Sequence, residues 1–233
     1  MPNLGSIGVP VPPDFPGTEF DLFNRRLADG LPHSDDQWAQ FGPSWNAVAY
    51  RFVALADADD LLADSFNSHG TAPPPQERMR QEHALFSFVS CAAACLNSIA
   101  YAFFAACSII NPSAFPLTSE ADRRKVKIEH TASALIAEYP EDWLGILIDT
   151  VYRHPTFGSL SAWRNVAVHR STIGRKIYLG SADPDTMKLG AHFAGRDLEL
   201  GPSLTRDYRR WLAETLTGLV REGNEFLTRQ GLP

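Results

Sequence analysis

The chain has 233 residues, a hydrophobic fraction of 44% and a formal net charge of −6 at pH 7. This length and apolar content suit one or two globular domains that fold around their own core without disulfides or metals. The acidic balance argues against a protein that coats nucleic acid through a broad basic face, so any nucleic-acid contact must be local.

The N-terminal segment MPNLGSIGVPVPPDFPG is rich in proline. It has neither the basic segment nor the apolar segment that a signal peptide requires. Because its prolines oppose a continuous helix, residues 1–35 are predicted to form an extended arm. A single helical domain is predicted to follow over residues 36–233.

The first helical pattern begins after Pro43 and Ser44, a proline and an N-cap type of residue that suit a helix start. Apolar residues recur at helical spacing from there to Phe66. The same segment carries four aspartates, which are Asp57, Asp59, Asp60 and Asp64. No histidine or further carboxylate follows at ligand spacing, so they indicate a solvated helix face, and the sequence predicts no metal site.

A second helical pattern runs from Gln76 to about Ile110, where Pro112 helps to stop it. Between Ala84 and Ile110 there is no charged residue, which fits either a membrane span or a buried helix. Serines, an asparagine and many alanines dilute this stretch, and no second span accompanies it. Burial inside a helical bundle or a subunit interface is therefore favoured over a membrane.

The three cysteines all fall within this apolar stretch; they are Cys91, Cys95 and Cys107. An odd, clustered set is unlike a disulfide framework or the paired CxxC ligands of a zinc site. The cysteines therefore predict small core residues in a reducing, cytoplasmic compartment.

Two further helices are predicted before residue 155. Ser119 and Asp122 make a capping-box-like start for the first of them, which runs to Pro140. Pro140 then opens the other. Its predicted buried stripe consists of Trp143, Ile146, Leu147 and Val151.

After His169 the apolar period changes to two, with turn-forming residues between short runs. This pattern predicts a small β meander at about residues 175–201. Ser203 then caps a last helix with a strong amphipathic face that extends to Leu227. The predicted fold class is mainly α, a helical bundle with a β meander inserted before the final helix.

The segment SAWRNVAVHR, residues 161–170, holds the side chains with the clearest chemistry. Arg164 is always charged, and its planar guanidinium suits a phosphate whose negative charge grows during attack. His169 can take a proton from a ribose 2′-OH or give one to the leaving 5′-oxygen. Asn165 can orient either neighbour or the phosphate. These are the functions that cleavage of RNA without a metal needs.

This segment resembles the R-x4-6-H motif of the HEPN superfamily, commonly written RNxxxH, in the helical setting that this family requires. The resemblance implies a HEPN-like helical bundle and a homodimer in which two motifs meet in a cleft. It also implies a metal-independent endoribonuclease without a cofactor, with Arg164, Asn165 and His169 as catalytic residues. Many such proteins are toxins or defence effectors, so RNA and an antitoxin or regulatory protein are expected partners.

Basic residues just after the motif, Arg170, Arg175 and Lys176, are expected to contact RNA. A second basic cluster, Arg123, Arg124, Lys125 and Lys127, is explained equally well by a solvated helix face. On a regular helix Arg164 and His169 lie about 140° apart, so they converge best where the helix starts or distorts, or where two chains contribute. Gly158 and the nearby serines favour a helix start just before the motif.

Three alternatives stay open. In the first, a catalytically silent HEPN-like dimer uses the motif cleft to bind a nucleotide or a partner. In the second, Arg164 pairs with a helix carboxylate and His169 is an ordinary structural histidine. The third is a membrane-associated helical protein. The complete set of arginine, asparagine and histidine favours the ribonuclease, whereas the acidic net charge and the meander favour the silent module.

Overall fold

The computed structural model describes residues 10–70, 72–169, 201 and 203–233, together with the backbone of three short strands. Within these residues the chain is mainly α-helical, as predicted. The eight described helices are α1 (Gly17–Gly30), α2 (Asp35–His69), α3 (Pro75–Ile110), α4 (Glu120–Lys125), α5 (Ile128–Glu138), α6 (Trp143–Arg153), α7 (Pro155–His169) and α8 (Ser203–Arg229).

The three strands follow α7 and precede α8. They are β1 (Gly174–Lys176), β2 (Thr186–Lys188) and β3 (Asp197–Glu199), and they pair antiparallel in the order β1-β2-β3. They overlap the segment at about residues 175–201 for which the sequence predicts a meander. The side chains of the strands and the residues that connect them lie outside the described part of the chain.

The chain divides into two compact units. Unit 1 comprises Met1–Phe52, Ala94–His154 and Leu212–Pro233, and unit 2 comprises Val53–Ala93 and Pro155–Trp211. The helices α2, α3 and α8 each contribute residues to both units, whereas α7, which carries the motif, belongs to unit 2. Residues on both sides of the predicted domain boundary at 35/36 belong to unit 1.

The predicted extended arm over residues 1–35 is wrong for Gly17–Gly30, which form α1. Phe20, Phe23 and Leu27, three and four residues apart, are fully buried on one face of this helix. The prolines that suggested an extended chain all lie at or before Pro16, the residue that precedes α1. They therefore exclude a helix only upstream of α1.

An aromatic cluster in unit 1 joins α1 to α2 and α3. Trp45 is fully buried, and its ring stacks on those of Phe20 and Phe23 with centroid distances of 4.1 and 4.6 Å. Phe103 of α3 meets both Phe23 and Trp45 at 5.5 and 5.9 Å. The indole N–H of Trp45 donates to the carbonyl of Phe20 at 3.3 Å. Burial of these large rings supplies much of the apolar stabilisation of this unit.

Helix α2 begins at Asp35, and Pro43, the predicted start, lies inside it. The observed start is a reciprocal capping box. The backbone N–H of Gln37 donates to the hydroxyl of Ser34 at 3.2 Å, and the N–H of Ser34 donates to the side-chain oxygen of Gln37 at 3.1 Å. The prediction is wrong because it took the proline as the start and passed over this serine and glutamine pair.

Helix α3 is the predicted central helix, and its burial is confirmed. Cys95 and Ala102 are both 0% exposed, and 78% of its most apolar 18-residue stretch is buried. It is also the one described helix whose length and apolar composition could cross a membrane. Burial raises the pKa of the Cys107 thiol well above its usual range, and the nearby Asp142 carboxylate raises it further.

The predicted third helix is two helices. The capping box at Ser119 and Asp122 is confirmed, since both of its reciprocal hydrogen bonds are present. However, α4 ends at Lys125, and α5 starts anew at Ile128 because Val126 and the residue after it adopt extended backbone conformations.

The predicted buried stripe of α6 is wrong for Trp143 and Ile146, which are 65% and 39% exposed. The buried side of this helix instead consists of Leu144, Gly145, Ile148 and Val151. The physical reason is the close approach to α5 at Gly145, because a Cβ built there would lie 2.9 Å from the backbone nitrogen of Ile136. The side of α6 that carries Gly145 therefore faces α5, and Trp143 lies on an exposed side of the helix.

We expect Gly145→Ala to destabilise the protein by about 1–3 kcal/mol, because the new methyl would overlap backbone that cannot rotate away. Gly218→Ala in α8 is the matched control, since nothing lies within 4 Å of a Cβ there. That change is expected to stabilise the protein by about 0.4–1 kcal/mol. Urea unfolding of both variants measures the difference. Equal effects would contradict the close packing of α5 on α6.

Asp142 joins α6 to α8 within unit 1. It is buried, and it caps α6 by accepting the backbone N–H of Leu144 at 2.9 Å. The Arg229 guanidinium donates to both of its carboxylate oxygens, at 2.7 and 3.1 Å, and also to Glu222 at 2.5 Å. The hydrogen bond to Asp142 raises the pKa of Arg229, with a smaller contribution from Glu222.

Candidate functional site

The motif lies on α7, the helix Pro155–His169. Pro155 occupies the first helical position, where its missing N–H leaves no hydrogen bond unmade. The buried side of α7 consists of Phe157, Leu160, Trp163 and Val166, at helical spacing. Gly158 lies inside α7, so the motif is at the C-terminal end of a helix. The expectation of a helix start just before the motif is therefore wrong.

The structure brings the three motif side chains together on one chain. The Nη1 atom of Arg164 donates to the Oδ1 atom of Asn165 at 3.0 Å and lies 3.5 Å from the Nε2 atom of His169. Arg164 is half-buried, whereas Asn165 and His169 are exposed. The length of the arginine side chain spans the angle between positions 164 and 169, so neither a distorted helix nor a second chain is needed for contact.

The contact between Arg164 and His169 lies at the outer limit of a hydrogen bond, at 3.5 Å. A guanidinium donates and does not accept, and an imidazole can exchange protons, so the pair combines a permanent cation with a proton-transfer group.

Arg164 has no carboxylate within ion-pair distance among the residues that the structure describes, and within them its guanidinium contacts Asn165 and His169. The alternative in which it pairs with a helix carboxylate therefore finds no support in this part of the chain. Its guanidinium retains donors that are not engaged by Asn165, and these can meet an anion.

The predicted RNA-binding residues fall largely outside the described part. Arg170 is not described, and Arg175 and Lys176 are described only as backbone of β1. The contact of these side chains with RNA therefore stays a prediction.

Three of the four residues of the second basic cluster pair with carboxylates of α4. In α4, Arg123 and Arg124 both pair with Glu120, at 3.2 and 3.0 Å, and Lys125 lies 3.9 Å from Asp122. Hydrogen bonds from Arg124 and then Arg123 lower the pKa of the Glu120 carboxyl. This pattern is typical of a solvated charged helix, as the sequence indicated.

The solvated-face interpretation of the four aspartates is wrong for Asp59, which is 2% exposed. The hydroxyl of Thr205 donates to its Oδ1 at 2.5 Å, and Arg209 donates to its Oδ2 at 3.3 Å. Arg209 also reaches the exposed Asp60 at 3.1 Å. A signal for this was present in the sequence, because Asp59 lies three residues after the buried Ala56 and so on the apolar stripe of α2.

The motif helix packs on α8 just beside this cluster. The ring of Trp163, which is 2% exposed, lies 5.3 Å from that of Tyr208 at an angle of 54°. Trp163 immediately precedes Arg164 in the chain. The side chains packed beneath the motif at this contact are thus aromatic.

No group of three or more histidine, cysteine, aspartate or glutamate side chains that could hold a metal ion occurs within the described ranges. Two cavities lined by described residues belong to unit 1 and include none of the motif residues.

Comparison with protein-family models, with curated proteins and with solved structures finds no significant match. The resemblance to the HEPN superfamily is therefore confined to Arg164, Asn165 and His169 in a helical setting.

Proposed function

We propose that this protein is a metal-independent endoribonuclease of the HEPN type that acts as a homodimer. The observation that carries the proposal is the convergence of Arg164, Asn165 and His169 at the solvent-exposed end of α7. A permanent cation, an imidazole that can exchange protons and an orienting amide thus lie close enough together to act on one phosphate.

The reaction follows from these groups. The imidazole of His169 takes the proton of a ribose 2′-OH, and the 2′-oxygen attacks the adjacent phosphorus while the bond to the 5′-oxygen breaks. The products are a 2′,3′-cyclic phosphate and a 5′-hydroxyl. Arg164 stabilises the negative charge that accumulates on the phosphate oxygens in the transition state.

A homodimer completes this scheme. The leaving 5′-oxygen needs a proton while the first imidazole is accepting one, and a second copy of His169 across a shared cleft can donate it.

The remaining features of the proposal follow from the resemblance. The helices would form a HEPN-like bundle in the cytoplasm, with RNA and an antitoxin or regulatory protein as partners, and the protein would act as a toxin or defence effector. Arg170, Arg175 and Lys176 would add phosphate contacts beyond the motif.

The second candidate function is a catalytically silent dimer that binds a nucleotide or a partner protein at the same motif. The net charge of −6 favours it, because an acidic protein attracts RNA poorly at long range. Both candidates predict a dimer that binds its ligand at the motif, and they differ only in whether RNA is cut.

The deciding experiment incubates wild-type protein with single-stranded and structured RNAs in excess EDTA, beside DNA and 2′-O-methyl RNA of the same sequence. We expect only the unmodified RNA to be cut, with a 2′,3′-cyclic phosphate on the 5′ fragment. In sedimentation experiments we expect a dimer at a protein concentration on the order of tens of micromolar. Cleavage that disappears in EDTA would exclude the mechanism. A dimer that cuts no RNA would favour the silent module.

A further inference from the structure

The buried cluster of Asp59, Thr205 and Arg209 fixes the start of α8 in one arrangement. An ionised carboxylate that is 2% exposed is tolerated only because donors surround it, here a hydroxyl at 2.5 Å and a guanidinium at 3.3 Å. A small shift of α8 against α2 would lengthen both bonds and leave a buried charge unsatisfied. The first turns of α8 therefore have little freedom to move.

The same turns of α8 carry the residue that contacts the motif helix. Tyr208 lies between Thr205 and Arg209 in the chain, and its ring meets that of Trp163 at 5.3 Å. Trp163 is buried and directly precedes Arg164. A continuous set of contacts thus runs from Asp59 through α8 to the residue beside the candidate catalytic arginine.

The catalytic use of the motif depends on the position of α7. Arg164 and His169 lie on the same helix, so a shift of α7 moves both relative to a bound phosphate and leaves the 3.5 Å between Nη1 and Nε2 unchanged. A displacement of about 1 Å relative to that phosphate could lower a catalytic rate roughly 100-fold. Rigid support from beneath is what such a site requires.

We propose that Asp59, Thr205 and Arg209 are positioning residues for the motif: they hold α8, and through Tyr208 and Trp163 they set the orientation of Arg164. This inference rests on the proposed ribonuclease function for its catalytic consequence. Its structural consequence, the restraint of α7, does not depend on that function.

The chain supplies a matched pair of variants for the test. Arg209 and Arg229 both lie on α8, and each binds a buried aspartate, Asp59 in unit 2 and Asp142 in unit 1. Lysine keeps the charge and loses the planar guanidinium in both cases. Arg209→Lys should lower kcat about 10- to 100-fold with KM within about twofold, whereas Arg229→Lys should leave kcat within about twofold.

A milder pair separates positioning from loss of folding. Thr205→Val removes the hydroxyl that donates to Asp59 while keeping the shape of the side chain, and Thr205→Ser restores the donor. We expect kcat to fall several-fold in the valine variant and to return close to wild type in the serine variant. Circular dichroism and thermal melts confirm that each variant is folded at the assay temperature.

Amide hydrogen exchange gives a readout that needs no RNA. Exchange across residues 158–169 should be about tenfold faster in Arg209→Lys than in wild type and unchanged in Arg229→Lys. Unchanged exchange and kcat in folded Arg209→Lys, or equal effects of the two arginine variants, would overturn the proposal. If wild type cuts no RNA, the proposed function fails, and the exchange data alone decide whether the cluster restrains α7.

Discussion

Arg164→Ala is expected to reduce kcat/KM for RNA cleavage by roughly two to four orders of magnitude, because the change removes the positive charge beside the phosphate in the transition state. His169→Ala is expected to cause a loss of similar size by removing the proton carrier. Both side chains lie at the surface end of α7, so the fold should survive either change. Initial rates under single-turnover conditions in EDTA measure the effect.

Asn165→Ala should have a smaller effect than either change, since its amide accepts one hydrogen bond from Arg164 at 3.0 Å and carries no charge. Arg153→Ala and His83→Ala are suitable controls, because they remove one exposed arginine and one exposed histidine outside the motif. Both should retain wild-type rates. Persistence of full cleavage in His169→Ala would exclude the imidazole as the proton carrier.

The sequence contained enough information to predict the elements that local signals define. The charge-free run from Ala84 to Ile110 predicted a buried helix, and a serine and aspartate three residues apart predicted the cap of α4. The contact among the motif residues was partly foreseeable, since their side chains are close along one helix. That Arg164 alone spans the angle to His169 depends on a rotamer, which spacing does not determine.

The incorrect predictions share a physical cause, which is that tertiary contacts decide where local signals are ambiguous. The side of α6 that is buried is set by the close approach of Gly145 to α5, so Trp143 is exposed although it is the largest apolar candidate. Asp59 is buried because Thr205 and Arg209, almost 150 residues away in the chain, provide its hydrogen bonds. Neither partner can be identified from the local sequence of α2.

Trp45→Ala is expected to destabilise the protein by about 3–5 kcal/mol, against a total stability of roughly 5–15 kcal/mol for a folded domain. Trp45 is fully buried, and its ring stacks on Phe20 and Phe23, so alanine would leave a cavity between α1 and α2. The indole hydrogen bond to the Phe20 carbonyl would also be lost. Urea unfolding followed by circular dichroism measures the change.

The matched control is Trp143→Ala, which removes the same side chain from a position that is 65% exposed. Because little apolar surface is transferred to water there, we expect a change within about 0.5 kcal/mol. The comparison also tests the docking of α1, since Phe20 and Phe23 both stack on the Trp45 ring. If the two tryptophan variants were equally stable, α1 would not be packed in the core, and an extended N-terminal segment would again be the better description.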